Sequence, residues 1–185
     1  MTIRSFQEYS PKLASGVYVD PQSCVIGRVD IGADSSIWPM AVIRGDVNFI
    51  RIGAKTSVQD NSVLHVTHES SFNPAGYPLI IGNEVTIGHS VVLHACTVED
   101  QCLIGMKCII LDNAVIRKNV LLGAGSVVPP GKDLEGGYLW LGNPAKKIRA
   151  LTETEMNYFQ YSAEHYVRLK NKYLEATTIP KRLIT

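Results

Sequence analysis

Large aliphatic residues recur every six positions along most of this chain: Val19, Val25, Ile31, Ile37 and Ile43, then Ile52, Val58 and Leu64, then Ile81, Ile87 and Leu93, then Val98, Ile104, Ile110, Ile116, Leu122 and Val128. A period so long and regular marks a repeat architecture. Two places before each aliphatic stands a small or branched residue, among them Ser23, Val29, Ser35, Ala41, Thr56, Ser62, Val85, Val91, Cys96, Cys102, Cys108 and Ala114. Side chains two apart share one side of an extended strand, so each hexad predicts a short strand with two inward residues. Gly follows the aliphatic at Gly32, Gly53, Gly82, Gly88, Gly105 and Gly123. Corners belong there, and the expectation is that Gly supplies unusual dihedrals for them.

Strands and corners alternating in this way resemble the hexapeptide-repeat proteins. That resemblance implies an all-β fold, a left-handed parallel β-helix with three hexads to a coil. Its handedness comes from the resemblance, because the repeat alone does not determine it. About six coils fit between Val19 and Leu134, stacked at the usual strand spacing of about 4.8 Å. The expectation is a single domain over residues 1–185, with a prism at about 12–135 interrupted by a loop at 66–80. Gly136-Gly137 and the segment Leu141 to Lys147 break the repeat and lead out of the prism. Thr152 followed by Glu155 forms a capping box, and Met156, Phe159, Ala163, Tyr166 and Tyr173 recur near helical spacing. An amphipathic C-terminal helix over about 152–176, lying back along the prism, follows.

Composition excludes several function classes. The 185 residues carry a formal net charge of +1, a balance that argues against nucleic acid as the main partner. With no run of 18 apolar residues and no signal-peptide pattern, the expected class is soluble, cytoplasmic and not membrane-bound. The four cysteines lack a CxxC spacing. Three of them occupy inward hexad positions and are expected to be buried free thiols, in keeping with a reducing compartment.

Breaks in the rhythm carry the chemistry. The steps from Ile43 to Ile52, Leu64 to Ile81 and Leu93 to Val98 are nine, seventeen and five residues instead of six. The longest inserts eleven residues, His68 to Pro78, which must leave the prism. Subtracting those eleven from the 29 that separate His65 and His94 leaves 18, one complete coil. The two histidines therefore stack on one corner about 4.8 Å apart, close enough to share a metal. Arg44 lies on that corner one coil earlier, with Asp46 just beyond. His89 belongs to the preceding corner, over Asp60 and beside Gln59, and a prism face separates it from the pair. A neighbouring prism in a trimer can bring its own His89 to that pair, giving three sites under cyclic symmetry.

The motifs Ile43-Arg44-Gly45-Asp46, Val58-Gln59-Asp60-Asn61, Leu64-His65 and Gly88-His89-Ser90-Val91-Val92-Leu93-His94 resemble those of the γ-class carbonic anhydrase family, and the match runs through nearly the whole chain. The resemblance implies that two histidines of one subunit and one of its neighbour bind the metal at a homotrimer interface. The ligands would be His65, His94 and His89. Three histidines with an open position suit a catalytic zinc ion, which lowers the pKa of bound water to about 7 and supplies hydroxide to attack carbon dioxide, giving bicarbonate. Fe2+ and Co2+ suit the same nitrogens. By the same resemblance Gln59 would hydrogen-bond the water or hydroxide on the ion. Arg44 would pair with Asp46 and, across the interface, with Asp60, either for catalysis or to hold the trimer. Tyr166 matches a helix tyrosine near the metal in some relatives, though its spacing also suits packing.

The chain departs from the family pattern at the proton relay. Where some members carry glutamates, just after the Asp of the Arg-x-Asp motif and three residues past the first metal histidine, this chain has Val47 and His68. Without those carboxylates hydration would be slow, unless His68 takes their place, imidazole being a side chain suited to carry protons near neutral pH. Two other activities fit the same scaffold. One is an acyltransferase using acetyl-CoA, with which Gly142-Asn143-Pro144-Ala145 is shared. The other is a zinc-binding scaffold or a thioesterase-like hydrolase. Acyl transfer does not require three histidines in this register.

Overall fold

Hexads from successive coils pair in parallel, so that each third of a coil contributes to one of three faces. The computed structural model describes residues 2–178. The first face stacks Tyr18–Val19, Ser36–Ile37, Ser57–Val58, Thr86–Ile87, Leu103–Ile104, Leu121–Leu122 and Tyr138–Leu141. Cys24–Ile31 and Val42–Ile52 run unbroken round the next corner and join the second and third faces into one sheet. The second face continues through Val63–His65, Val92–His94, Ile109–Ile110 and Val127–Val128. The third continues through Leu79–Ile81, Thr97–Val98, Val115–Ile116 and Asp133–Leu134. This is a parallel β-helix with one C-terminal helix, as the hexad pattern and its resemblance predict.

Strands extend past the range of 12–135 at both ends. Ile3–Arg4 precedes it and pairs with Val25 and Ile26, while Lys12–Leu13, at its start, pairs with Asp30 and Ile31. Both short strands are exposed, so they lack the inward pair that makes a hexad legible. At the other end Tyr138–Leu141 adds a parallel rung, and Lys146–Ala150 turns back antiparallel to it.

The inward residues form one continuous core from Val25 to Leu134, closed at the C-terminal end by Trp140 and Ala145. Cys96, Cys102 and Cys108 are buried in it as free thiols. Burial pushes the Cys102 thiol up to about 12 and raises Cys96 and Cys108 as well.

The corner glycines serve a different purpose from the one expected. None of Gly32, Gly53, Gly82, Gly88, Gly105 and Gly123 has positive φ; that conformation falls two residues later, at Asp34, Lys55, Glu84, Ser90, Lys107 and Gly125. Stacking is the constraint on the first glycine. A Cβ on Gly53 would stand 2.5 Å from the backbone carbon of Gly82 on the next coil, and one on Gly32 equally close to that of Gly53.

The helix Glu153–Thr178 lies against the first face. Its capping box forms as the sequence predicts, with Thr152 N donating to Glu155 Oε2 at 2.9 Å and Glu155 N to Thr152 Oγ1 at 3.2 Å. Phe159 and Ala163 are buried against the wall, while Tyr166 and Tyr173 meet Trp38 edge-on. Lys170, only 1% exposed, reaches Asp34 at 2.7 Å and Asn171 at 2.6 Å. Among the described residues no helix is long and apolar enough to cross a membrane.

Candidate metal centre

The irregular steps of the rhythm shape the corner between the second and third faces. There Gly27 pairs with Gly45 and Val29 with Ile50, so Arg28 alone opposes residues 46–49. The bulge places Asp46 between two partners: its Oδ2 accepts from Arg44 Nη1, and its Oδ1 lies 3.0 Å from His65 Nε2. His65 pairs directly with His94 on the next coil. Their facing nitrogens, His65 Nδ1 and His94 Nε2, are 3.2 Å apart. His94 turns its other nitrogen to Asp112 Oδ1 at 2.5 Å, and Asp112 also accepts the Thr67 hydroxyl.

Charge and burial set the protonation of this corner. Burial draws the His65 pKa down; Asp46 works against that, but the Arg44 and His94 charges add to it, and the net shift is downward. Burial alone would raise the carboxyls of Asp46 and Asp112, yet hydrogen bonds outweigh it, from His65 and Arg44 on Asp46 and from Thr67 and His94 on Asp112. Both carboxyls lie below their ordinary value. Ionised carboxylates only accept, so an imidazole in its neutral form places its proton on the carboxylate side and keeps a lone pair toward the facing histidine. Two imidazole nitrogens on one tetrahedral ion stand about 3.3 Å apart. The His65–His94 pair therefore fits a divalent ion in spacing and in donor chemistry, and the carboxylate behind each ring is the usual support for such a ligand.

The corner between the first and second faces holds the other group. His89 Nδ1 lies 2.9 Å from Asp60 Oδ2, which leaves Nε2 as its remaining donor atom; the side chain is 46% exposed. Gln59 is buried beside it. Gln59, His89 and Tyr166 line a groove of about 510 Å3 between this corner and the helix. Burial, followed by Tyr158 and the Asp60 charge, raises the Tyr166 hydroxyl.

The structure thus gathers Arg44, Asp46, His65 and His94 on one corner, and Gln59, Asp60, His89 and Tyr166 around another. The second face separates the two groups. Among the described residues of one chain, no three His, Cys, Asp or Glu side chains converge as a metal cage. His68 is exposed on the inserted hairpin, and His165 packs against Tyr166 with centroids 5.3 Å apart. Asp112 and Thr67 escaped the sequence reading. Asp112 stands eighteen residues, one coil, past His94, and that interval was the signal that could have found it.

The dynactin subunit 5 family profile matches residues 4–160 of this chain. Protein YrdA of Escherichia coli is 49% identical over 94% of this chain and 94% of its own length. The mitochondrial gamma carbonic anhydrase 2 of Arabidopsis thaliana is 42% identical over 91% of this chain and 60% of its own. A hexapeptide transferase family protein from Anaplasma phagocytophilum, known from its crystal structure, superposes with a TM-score of 0.86 at 40% identity, covering 93% of this chain and 98% of that one. The carbonic anhydrase of Geobacillus kaustophilus is 40% identical over 94% of this chain and 91% of its own length, and with sequence, repeat and fold in agreement the chain belongs to the γ-class carbonic anhydrase family of hexapeptide-repeat proteins, across residues that the dynactin subunit 5 profile also spans.

Proposed function

We propose that this protein is a metal-dependent carbonic anhydrase that converts carbon dioxide and water to bicarbonate and a proton, working as a homotrimer with a site at each subunit interface. One observation carries the reading: two histidine nitrogens face each other at 3.2 Å, each ring backed by a carboxylate. His65 Nδ1 and His94 Nε2 would hold the ion with His89 Nε2 of a neighbouring subunit. Zinc on three imidazoles lowers the pKa of a bound water to about 7 and so makes a nucleophile available at neutral pH; Fe2+ and Co2+ suit the same ligands.

The chain's own groups prepare that site. Asp46, Asp112 and Asp60 each hold one imidazole in the ligand tautomer. Arg44 offsets the Asp46 charge, and its planar fork can also take Asp60 of the adjoining subunit. The buried Gln59 amide would orient the attacking water, and Tyr166 closes the same side. The proton released has to reach solvent, and the exposed His68 imidazole is the group on the hairpin suited to carry it. Free thiols in the core fit a cytoplasmic protein.

Acyl transfer is the second reading, favoured by the transferase-family neighbour of the same fold. Zinc analysis with stopped-flow carbon dioxide hydration separates the two. The anhydrase reading expects about one zinc per chain, hydration by the wild type, and loss of both zinc and hydration in His89→Ala with the prism intact. Mixed trimers sharpen the test: subunits lacking His65 and His94, combined with subunits lacking only His89, should regain sites where an intact corner pair meets a neighbour's His89. Full zinc occupancy in His89→Ala would overturn the shared site. Bound zinc without hydration would leave a scaffold or a hydrolase of another carbonyl.

A further inference from the structure

Two features extend beyond the residues of this chemistry. The inserted segment folds as a hairpin, with Thr67 and Tyr77 exchanging N–H to O bonds at 3.0 Å and Ser70 and Asn73 doing the same at 2.9 and 3.1 Å. Asn48 Nδ2 pins its base through the carbonyl of Thr67 at 3.2 Å. At the tip stands Phe72, 98% exposed. An aromatic ring held in water on an ordered turn gains free energy when another surface covers it. The second feature is the groove of about 510 Å3 that begins at His89. Beyond His89 its walls are chiefly apolar and aromatic: Met106, Leu121, Ala124, Tyr158 and Tyr161.

We propose that Phe72 of each subunit docks in this groove of the adjoining copy, so that the hairpin clasps the trimer. The inference rests on the trimer reading. If the His65–His94 corner of one chain meets His89 of another, the hairpin, which leaves the prism two residues past His65, lies beside the groove that His89 lines. The hairpin base spans the coils around the pair: Thr67 bonds Asp112, one coil beyond His94, while Asn48, one coil before His65, holds the Thr67 and Ala75 carbonyls. Prisms packed side by side around a cyclic axis run the same way, so these coils of one copy stand level with those of the next, and the groove begins on the His89 coil. Reach suffices. The arm from Thr67 to Ser70 spans about 10 Å before the turn that carries Phe72, as far as the two coil spacings, about 10 Å, between His89 and the far wall.

The test places a photoreactive benzoylphenylalanine at position 72 of the full-length, zinc-loaded protein, irradiates it, and maps the covalent product by mass spectrometry. Docking predicts two-chain products linked to Met106, Tyr158 or Tyr161 of a second copy. In parallel, Phe72→Ala should dissociate on dilution at roughly tenfold higher protein concentration than the wild type, as expected for loss of a central aromatic anchor. A zinc-loaded trimer whose product maps elsewhere, or which dilutes like the wild type without Phe72, overturns the docking and leaves the shared metal site standing. A wild type that is monomeric at micromolar concentration overturns both.

Discussion

Gly53 and Gly125 both occupy corners, and the reasons for glycine differ between them. Gly53 has ordinary φ, but any Cβ there would press on the Gly82 backbone; Gly125 has φ +72 and nothing within 4 Å of the position of a Cβ. An alanine at Gly53 must force two coils apart, a cost of about 3 kcal/mol as overpacking goes. At Gly125 it pays only the left-handed backbone penalty of about 1 kcal/mol. Urea denaturation of Gly53→Ala and Gly125→Ala should show that order, and equal losses would refute the stacking argument. Asn61, Asn113 and Asn119 accept the same positive φ without being glycine, which is why the recurrence of Gly in the hexads was misleading about its cause.

At the scale of elements, the helix packs a buried charge that periodicity did not reveal. Lys170 is inside, while its partner Asp34 keeps nearly half its side chain in water. Removing the partners should therefore have unequal effects. Asp34→Ala strands a buried ammonium with Asn171 as its remaining partner and should cost about 3 kcal/mol, whereas Lys170→Met removes the charge, leaves a solvated carboxylate, and should cost clearly less. Chemical denaturation of the two variants checks the asymmetry. The helix start depends on pH through Glu155, whose carboxyl is lowered from 4.5 to about 2, first by Arg149 and then by the Thr152 backbone. A lowered folded-state pKa gives stability that is present above pH 4.5 and lost as pH falls through about 2. Glu155→Gln should flatten that acid limb in thermal melts followed by far-UV circular dichroism, and an unchanged limb would remove the cap from the account.

For the whole molecule, the proposed trimer couples metal to assembly, because no single chain brings the three histidines together. An ion that binds only the folded, associated state stabilises it in proportion to the logarithm of its free concentration over its dissociation constant. Chelation should thus lower the melting temperature of the wild type by several degrees, about 2–4 °C per kcal/mol lost. His89→Ala should show no such shift. Differential scanning calorimetry with and without chelator makes the comparison, and an equal shift in both proteins would place the ion elsewhere.

Much of this protein was legible along the chain because a β-helix repeats one short physical rule. Inward pairs every six residues determine the strands, and a count of inserted residues is enough to stack His65 under His94. The eighteen-residue coil failed as a guide where its cause was not periodic. The exposed edge strands Ile3–Arg4 and Lys12–Leu13 have no buried side to announce them. Asp112 stands one coil past His94, but Lys170 and the hairpin around Phe72 gain their meaning from groups on other coils or on the helix, through distances that no local spacing encodes. Hydrophobic rhythm is a property of neighbours in sequence and can be read there. Which carboxylate holds which imidazole, which lysine is buried and which ring is left facing water depend on packing between distant segments, and only the folded chain decides them.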